Sequence, residues 1–243
     1  MQYSLFPAPD NKRVLYDLFK AYFDARKNKR NTINALEFEY TFEHNLFALY
    51  SEIMKGKYSI KPSICFINFS PVQREIFAAD FRDRVVHHLI YNYISPIFEK
   101  TFINDSYSCR KGKGTHYGIK RVDHFIRSCS ENYKKDCYIL KLDIKGYFMA
   151  MDRVLLFEMI KHGLKRYQHR IDFDLPLVLY LLEKVIFNDP TKNCIIKGSS
   201  SDWKGLPKTK SLFYAKINCG LPIGNLTSQL FGNIYLNEFD HFV

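Results

Sequence analysis

The stretch "YILKLDIKGYFMAMD", residues 138–152, decides how this chain is read. Tyr138, Leu140, Leu142 and Ile144 alternate with Ile139, Lys141 and Asp143, which is the period of a strand with one apolar face. That strand carries a carboxylate, Asp143, near its end and runs into Gly146, Tyr147 and Phe148. Two readings stand at this point. Asp143 is a surface aspartate that ends a strand, or it is a carboxylate at the carboxyl end of a central strand, placed to hold Mg²⁺. Magnesium binds through few carboxylates plus substrate phosphates, so one well-placed Asp is a meaningful ligand. Gly146 and Tyr147 would then leave backbone room for a triphosphate. Phe148 would either wall the floor beneath a sugar or pack in the core.

Working outward, the flanks are mostly helical. Asp152 is placed to cap a helix starting at 153, and Asp174 with Pro176 in the first turn caps another over about 174–188. Upstream, residues 10–55 read as helix with Asn-rich breaks near 28–34, and 54–71 switches to short strand-like pieces bounded by Gly56, Pro62 and Pro71. In "FRDRVVHHLIYNYI" (81–94), Val85, Val86, Leu89, Ile90, Tyr93 and Ile94 recur at helical spacing. "IKRVDHFIRSC" (119–129) is amphipathic, with Ile119, Val122, Ile126 and Cys129 on one stripe. Residues 189–220 read as a basic loop region, and Trp203 within it as an anchor that packs the loop. "GLPIGNLTSQLFGNIYLNEFDHFV" (220–243) is a Gly/Pro turn entering a helix capped by Asn225 or Thr227. Alternating helices and short strands indicate an α+β architecture.

Composition narrows the function classes. With 243 residues, 47% hydrophobic and 25% charged, the chain can bury a substantial core and is not a disordered tail. The net charge of +11 points to a polyanionic partner, and the 38 Tyr and Phe residues include candidates for stacking on bases, although most are expected in the core. The six cysteines show neither a CxxC pair nor zinc-ligand spacing, so they read as reduced thiols. The start has no apolar signal-peptide region and no run is long enough to span a bilayer, so the chain reads as a soluble, cytoplasmic protein. His87-His88 lacks ligand partners at metal spacing and reads as part of a helix face.

Three further groups could carry chemistry. Gly220, Pro222 and Gly224 bend the chain sharply and expose backbone N–H groups at a helix start, while Asn225, Ser228 and Gln229 could turn polar atoms toward a nucleotide. Arg74 and Arg84 lie in "REIFAADFRDR" (74–84). Arg110, Lys111 and Lys113, set between glycines in "CRKGKG" (109–114), form a basic loop suited to a phosphate backbone.

Taken together, "AADFRDRVVHHLI", "SYSCRKGKGTHYGI", "LKLDIKGYF", "DWKGLPKTKSLF" and "GLPIGNLTSQLFGNIYLNEFD" give the chain a specific resemblance from about residue 55 onward. It resembles the reverse transcriptases of the group II intron type, and most closely those of diversity-generating retroelements. The resemblance implies right-hand fingers over 1–135, with an N-terminal helical extension, and part of a palm over 136–243 with a basic insertion at about 189–218. It implies that Asp143 is a ligand of both catalytic Mg²⁺ ions, with the Ile144 carbonyl completing the set, and that Phe148 is the gate against a ribose 2′-hydroxyl. Arg74 falls where such enzymes grip the incoming dNTP. The neighbouring lysine of the intron enzymes falls on Asn68, which leaves triphosphate contacts on that side open.

In the Gly/Pro turn, Ile223 stands where most of these enzymes carry glutamine. Loss of that amide near the nascent base pair is expected to relax discrimination. The implied activity is therefore error-prone copying of a template RNA into cDNA from a primer, misincorporating mainly opposite adenines. A basic accessory variability protein is the implied partner, in a bacterial or phage-encoded setting. No Asp-Asp pair occurs in the sequence. The chain is thus expected to be a fragment that stops before the family's Tyr-x-Asp-Asp turn and thumb, and to be inactive alone. The alternatives are a group II intron-like or antiphage enzyme, and a non-catalytic RNA-binding module.

Overall fold

A computed structural model describes residues 11–27 and 32–243. The first ten residues and part of the Asn-rich break expected near 28–34 lie outside the described residues. Three helices open the described chain: α1 (Asn11–Arg26), α2 (Ile33–Tyr40) and α3 (Phe42–Met54). A β-hairpin of β1 (Ile64–Asn68) and β2 (Arg74–Ala78) follows, then the long helix α4 (Phe81–Phe98). After α5 (Thr115–Cys129) come the short helix α6 (Tyr147–Ala150), α7 (Arg153–Arg166) and α8 (Leu175–Phe187). A two-residue strand, β3 (Ile195–Ile196), and the closing helix α9 (Leu226–Phe242) complete the set.

Helix α4 is the axis of the core. Asp80 caps its N-terminus by accepting from Arg82 N at 3.0 Å, and the helix is lined by α1, α8, α7 and α9. Leu89, Ile90, Ile94 and Val85 are fully buried in one apolar core that runs from Val14 of α1 to Ile234 of α9. Each such side chain contributes about 2–3 kcal/mol from area removed from water. This core draws on both sides of residue 135, so the helices before and after that position pack as one body.

Three polar groups of α4 that enter the core, Arg82, Asp83 and His87, have partners there. Asp83 accepts from Tyr58 Oη at 2.9 Å and Lys61 N at 2.8 Å, and Arg82 reaches Glu52 and the Ser59 carbonyl. Burial raises the Asp83 carboxyl to about 6. His87 meets Thr227 Oγ1 at 2.7 Å, tying α4 to α9, and burial lowers its imidazole to about 3. His87 is thus part of a helix–helix contact, and Thr227 is spent on it.

The three-stranded sheet has the order β2-β1-β3. Its centre is an antiparallel hairpin that pairs Ile64 with Ala78 and Asn68 with Arg74, and β3 adds to β1 in parallel. The strand expected over 138–144 is not part of it. Residues 137–144 are irregular, and Tyr138 (92%), Leu140 (82%) and Leu142 (75%) are exposed. A strand is stabilised by neighbours that take its N–H and C=O groups, and none of the described residues pairs with this segment. The expected caps at Asp152 and Asp174 are present, accepting from Val154 N and Leu155 N, and from Leu177 N.

Candidate nucleotide site

The site is built where three sequence motifs are stitched together. The first is the turn after Asp143. Gly146 adopts a left-handed conformation with φ 64°, which lets the chain reverse into α6. Tyr147 then donates its hydroxyl to the Gly232 carbonyl of α9 at 2.6 Å, and burial pushes its phenol above the ordinary range. Phe148 is half-buried, packed beside Tyr147 and against Gly232, where an added Cβ would lie 3.5 Å from both rings. Tyr147 is therefore an anchor of the turn, while Phe148 keeps part of its ring accessible.

The second motif is the Gly/Pro turn at 220–225. Leu221 N donates to Phe148 O and Gly220 N to Met151 O, each at 2.8 Å, and Arg153 Nε donates to Gly220 O at 2.7 Å. These bonds lay the second turn directly on the first. The third motif is β2. Phe77 N donates to Ile223 O at 2.8 Å, and Ala79 N donates to the Asn225 side-chain oxygen at 3.2 Å. Asn225 sits at the N-cap of α9, but its side chain serves the residue just after β2 rather than the helix. At Gly224 (φ 124°) a Cβ would lie 2.9 Å from Ile76 Cγ2, so the close approach of turn and strand requires glycine. Ile223 is half-buried and packs with Phe148 into a small second core around Phe77, Met149 and Leu212. Gln229 is exposed on the first turn of α9.

Around this frame the expected site residues fall into two groups. Asp143 and Ile144 are exposed in the segment leading to Gly146, and Arg74 is exposed at the start of β2. Arg74, Gly146, Phe148, Ile223 and Gly224 thus belong to one stitched unit. The four cations assigned to nucleic acid do not join it. Arg110 is spent inside its own loop: it donates to Glu99 Oε2 at 2.9 Å and to the Ile103 and Ser106 carbonyls at 2.8 Å, with its side chain 7% exposed. Lys113 reaches the Asn104 carbonyl and sits over the Tyr117 ring. Arg84 donates to Ala79 O at 2.9 Å and is half-buried. Of the four, Lys111 alone is exposed and shows no polar contact among the described residues.

The room at Gly146 is also not open. A Cβ there would lie 2.6 Å from Thr209 O, because the 189–218 segment folds over the turn. That segment is more ordered than a loop. Ile195 N donates to Ser63 O and Lys197 N to Cys65 O, both at 2.8 Å, which seats β3 on β1. Its main anchor is Glu75, fully buried on β2, which accepts from Trp203 Nε1 at 2.6 Å, Ser211 Oγ at 2.8 Å and Leu212 N at 2.6 Å. Trp203 thus packs the segment as expected, but its partner Glu75 was missed. The signal was present: in "REIFA" Glu75 shares a pleat face with Phe77, and a carboxylate on the inward face of a strand needs donors.

As for a metal, a two-ion site needs several carboxylates, and the described residues contain no group of three or more His, Cys, Asp or Glu side chains able to hold one. Asp143 alone does not fit such a site. Among the described residues, no helix is long and apolar enough to cross a membrane.

Comparison with known proteins gives a distant relationship. No protein-family model matches the chain. It is 24% identical over 197 residues to protein YkfC of Escherichia coli K12, covering 80% of this chain and 44% of that protein. It is also 24% identical over 174 residues to the group II intron-encoded protein LtrA of Lactococcus lactis subsp. cremoris, covering 72% of this chain and 23% of LtrA. The chain spans less than half the length of either relative. The likeness to LtrA, distant and partial, supports a reverse-transcriptase-like class for this chain.

Proposed function

We propose that this chain is the fingers and part of the palm of a right-hand RNA-directed DNA polymerase. The observation that carries the reading is the stitching of β2, the Asp143–Phe148 turn and the Gly220–Asn225 turn into one rigid unit through backbone bonds. Such a unit fixes an exposed arginine and a half-accessible aromatic ring, and the exposed carboxylate of Asp143 lies three residues before Gly146 on the segment that leads into it; nucleotide positioning requires groups gathered in this way. Its likeness to an intron-encoded protein over 72% of the chain supports the same class. In this reading Phe148 packs beneath the sugar of an incoming dNTP and its ring, fixed against α9, rejects a 2′-hydroxyl. Arg74 meets the triphosphate. Asp143 offers one carboxylate to Mg²⁺, which would supply charge neutralisation at the phosphates. The remaining ligands are not among the described residues.

A finer reading places the enzyme among the diversity-generating type, copying a template RNA into mutated cDNA with a basic accessory protein as partner. It rests on Ile223. Its sec-butyl side chain cannot hydrogen-bond a nascent pair, so misplaced bases lose one penalty. A second reading, a non-catalytic RNA-binding module, is favoured by the lone carboxylate at the site. Primer extension on an RNA template by the gene product that contains these residues separates them. Extension with dNTPs, with fewer errors opposite template adenines in Ile223→Gln, supports the polymerase and its error-prone form. RNA binding without any extension supports the module.

A further inference from the structure

The space beside Gly146 is taken by the 208–210 turn, and that turn brings lysines with it. Thr209 O lies 2.6 Å from where a Gly146 Cβ would stand, so the two backbones are in direct contact. Two residues on, Ser211 is bound to the buried Glu75 at 2.8 Å, with Leu212 N at 2.6 Å on the same carboxylate. Lys210 is therefore fixed on both sides: by the seat of Thr209 on the Asp143–Phe148 turn, and by the Glu75 anchor. A further bond, Lys210 N to Pro207 O at 2.8 Å, closes the turn itself.

The side chain of Lys210 is exposed and shows no polar contact among the described residues, whereas Lys208 lies over the Tyr214 ring at 5.1 Å. Asn68 supplies no ammonium on the hairpin. It is uncharged, and its amide is turned onto the Ser70 carbonyl at 3.0 Å.

We propose that Lys210, supported by Lys208, binds the polyphosphate of a nucleotide held at the Asp143–Phe148 turn. This rests on the nucleotide reading of that turn and adds a residue to it. An ammonium is suited to the task because it meets phosphate oxygens as a compact, mobile point charge. The same segment carries Lys192 and Lys197, outside the braced turn, which serve as internal controls.

Lysine acetylation by a water-soluble N-hydroxysuccinimide ester, read by peptide mass spectrometry on this chain, tests the proposal. Inorganic triphosphate, a dNTP and a single-stranded RNA oligonucleotide are the separate probes. Lys210 should be acetylated about tenfold more slowly with triphosphate or dNTP, with a smaller effect at Lys208 and none at Lys192 or Lys197. Lys210→Ala should weaken dNTP binding by a similar factor and Lys210→Arg should restore most of it. Equal protection of all four lysines, or protection by the RNA alone, overturns the assignment. If dNTP binding is unchanged in Lys210→Ala, the inference fails while the nucleotide reading stands. If Lys210 is protected by triphosphate yet the gene product that contains these residues extends no primer on an RNA template, the phosphate site stands and the polymerase reading fails.

Discussion

Helices α4 and α5 are similar in length and follow one another along the chain, yet they are held by different means. Over 18 residues α4 buries twelve side chains, including Asp83 and His87. Over 15 residues α5 buries none, although its apolar stripe is as regular. Ile119 (59%), Val122 (46%) and Phe125 (43%) face solvent, and the apolar run of 138–144 is exposed as well. What fixes α5 is polar. Arg121 forks onto Asp105 at 2.6 and 2.9 Å, which holds that carboxyl down at about 2, and Gly118 lies against Tyr107. An amphipathic stripe therefore states what a helix could bury, and the rest of the chain decides whether it does. For function the contrast matters because Phe148 and the Gly/Pro turn are bonded to one another, while Asp143 lies on an exposed segment that no strand among the described residues pairs with.

The largest test of this contrast is a pair of leucines. Leu89→Ala, in the middle of α4, should cost about 3–4 kcal/mol in chemical denaturation because it leaves a cavity. Leu142→Ala, in the exposed segment, should fall within about 0.5 kcal/mol of the wild type. Equal costs would mean that 138–144 is packed and that the contrast is false.

Next in size is the joint between the 189–218 segment and β2. Glu75→Ala leaves three donors without their acceptor and should cost about 2–3 kcal/mol. Trp203 is the single tryptophan, so its emission reports this joint directly. The variant should shift that emission to the red before global unfolding; an unchanged spectrum would show that the segment is held by other contacts.

The smallest effect is on pH between about 6.5 and 4.5, and it rests on two buried groups of α4. His87, lowered to about 3 from the ordinary 6.5, takes up its proton more readily when unfolded, so stability falls as pH drops below about 6.5. Asp83, raised to about 6, works the other way: the folded chain protonates first, and acidification from about 6 toward 4 adds stability. The two nearly offset, and the wild type should lose less than about 1 kcal/mol between pH 6.5 and 4.5. Asp83→Asn removes the compensation and should steepen the loss to about 2–3 kcal/mol over the same window. A flat profile in that variant would place His87 in contact with water.

These regions also differ in how legible they were. The caps at Asp152 and Asp174 and the stripe of α4 rest on neighbours three or four residues away, so the sequence states them locally. The 138–144 strand was expected from alternation alone, but pairing needs a partner that alternation does not name. The intraloop bonds of Arg110 were not legible for a related reason: its acceptors are loop carbonyls at Ile103 and Ser106, whose positions depend on how the loop closes. The approach of Thr209 to Gly146 joins residues 63 positions apart and leaves no local trace. By contrast, the three motifs that meet at the site were all singled out, because glycines and aromatics in tight turns mark themselves.

In the proposed reading Asp143 serves nucleotidyl transfer. Its most direct test is single-nucleotide extension of a primer on an RNA template, with dNTP and Mg²⁺, by the gene product containing these residues and by its Asp143→Asn variant. The wild type should extend the primer and the variant should lose at least about a thousandfold in rate, with dNTP and RNA binding retained. Equal extension by both proteins would contradict that reading, since the carboxylate would then be an ordinary surface aspartate.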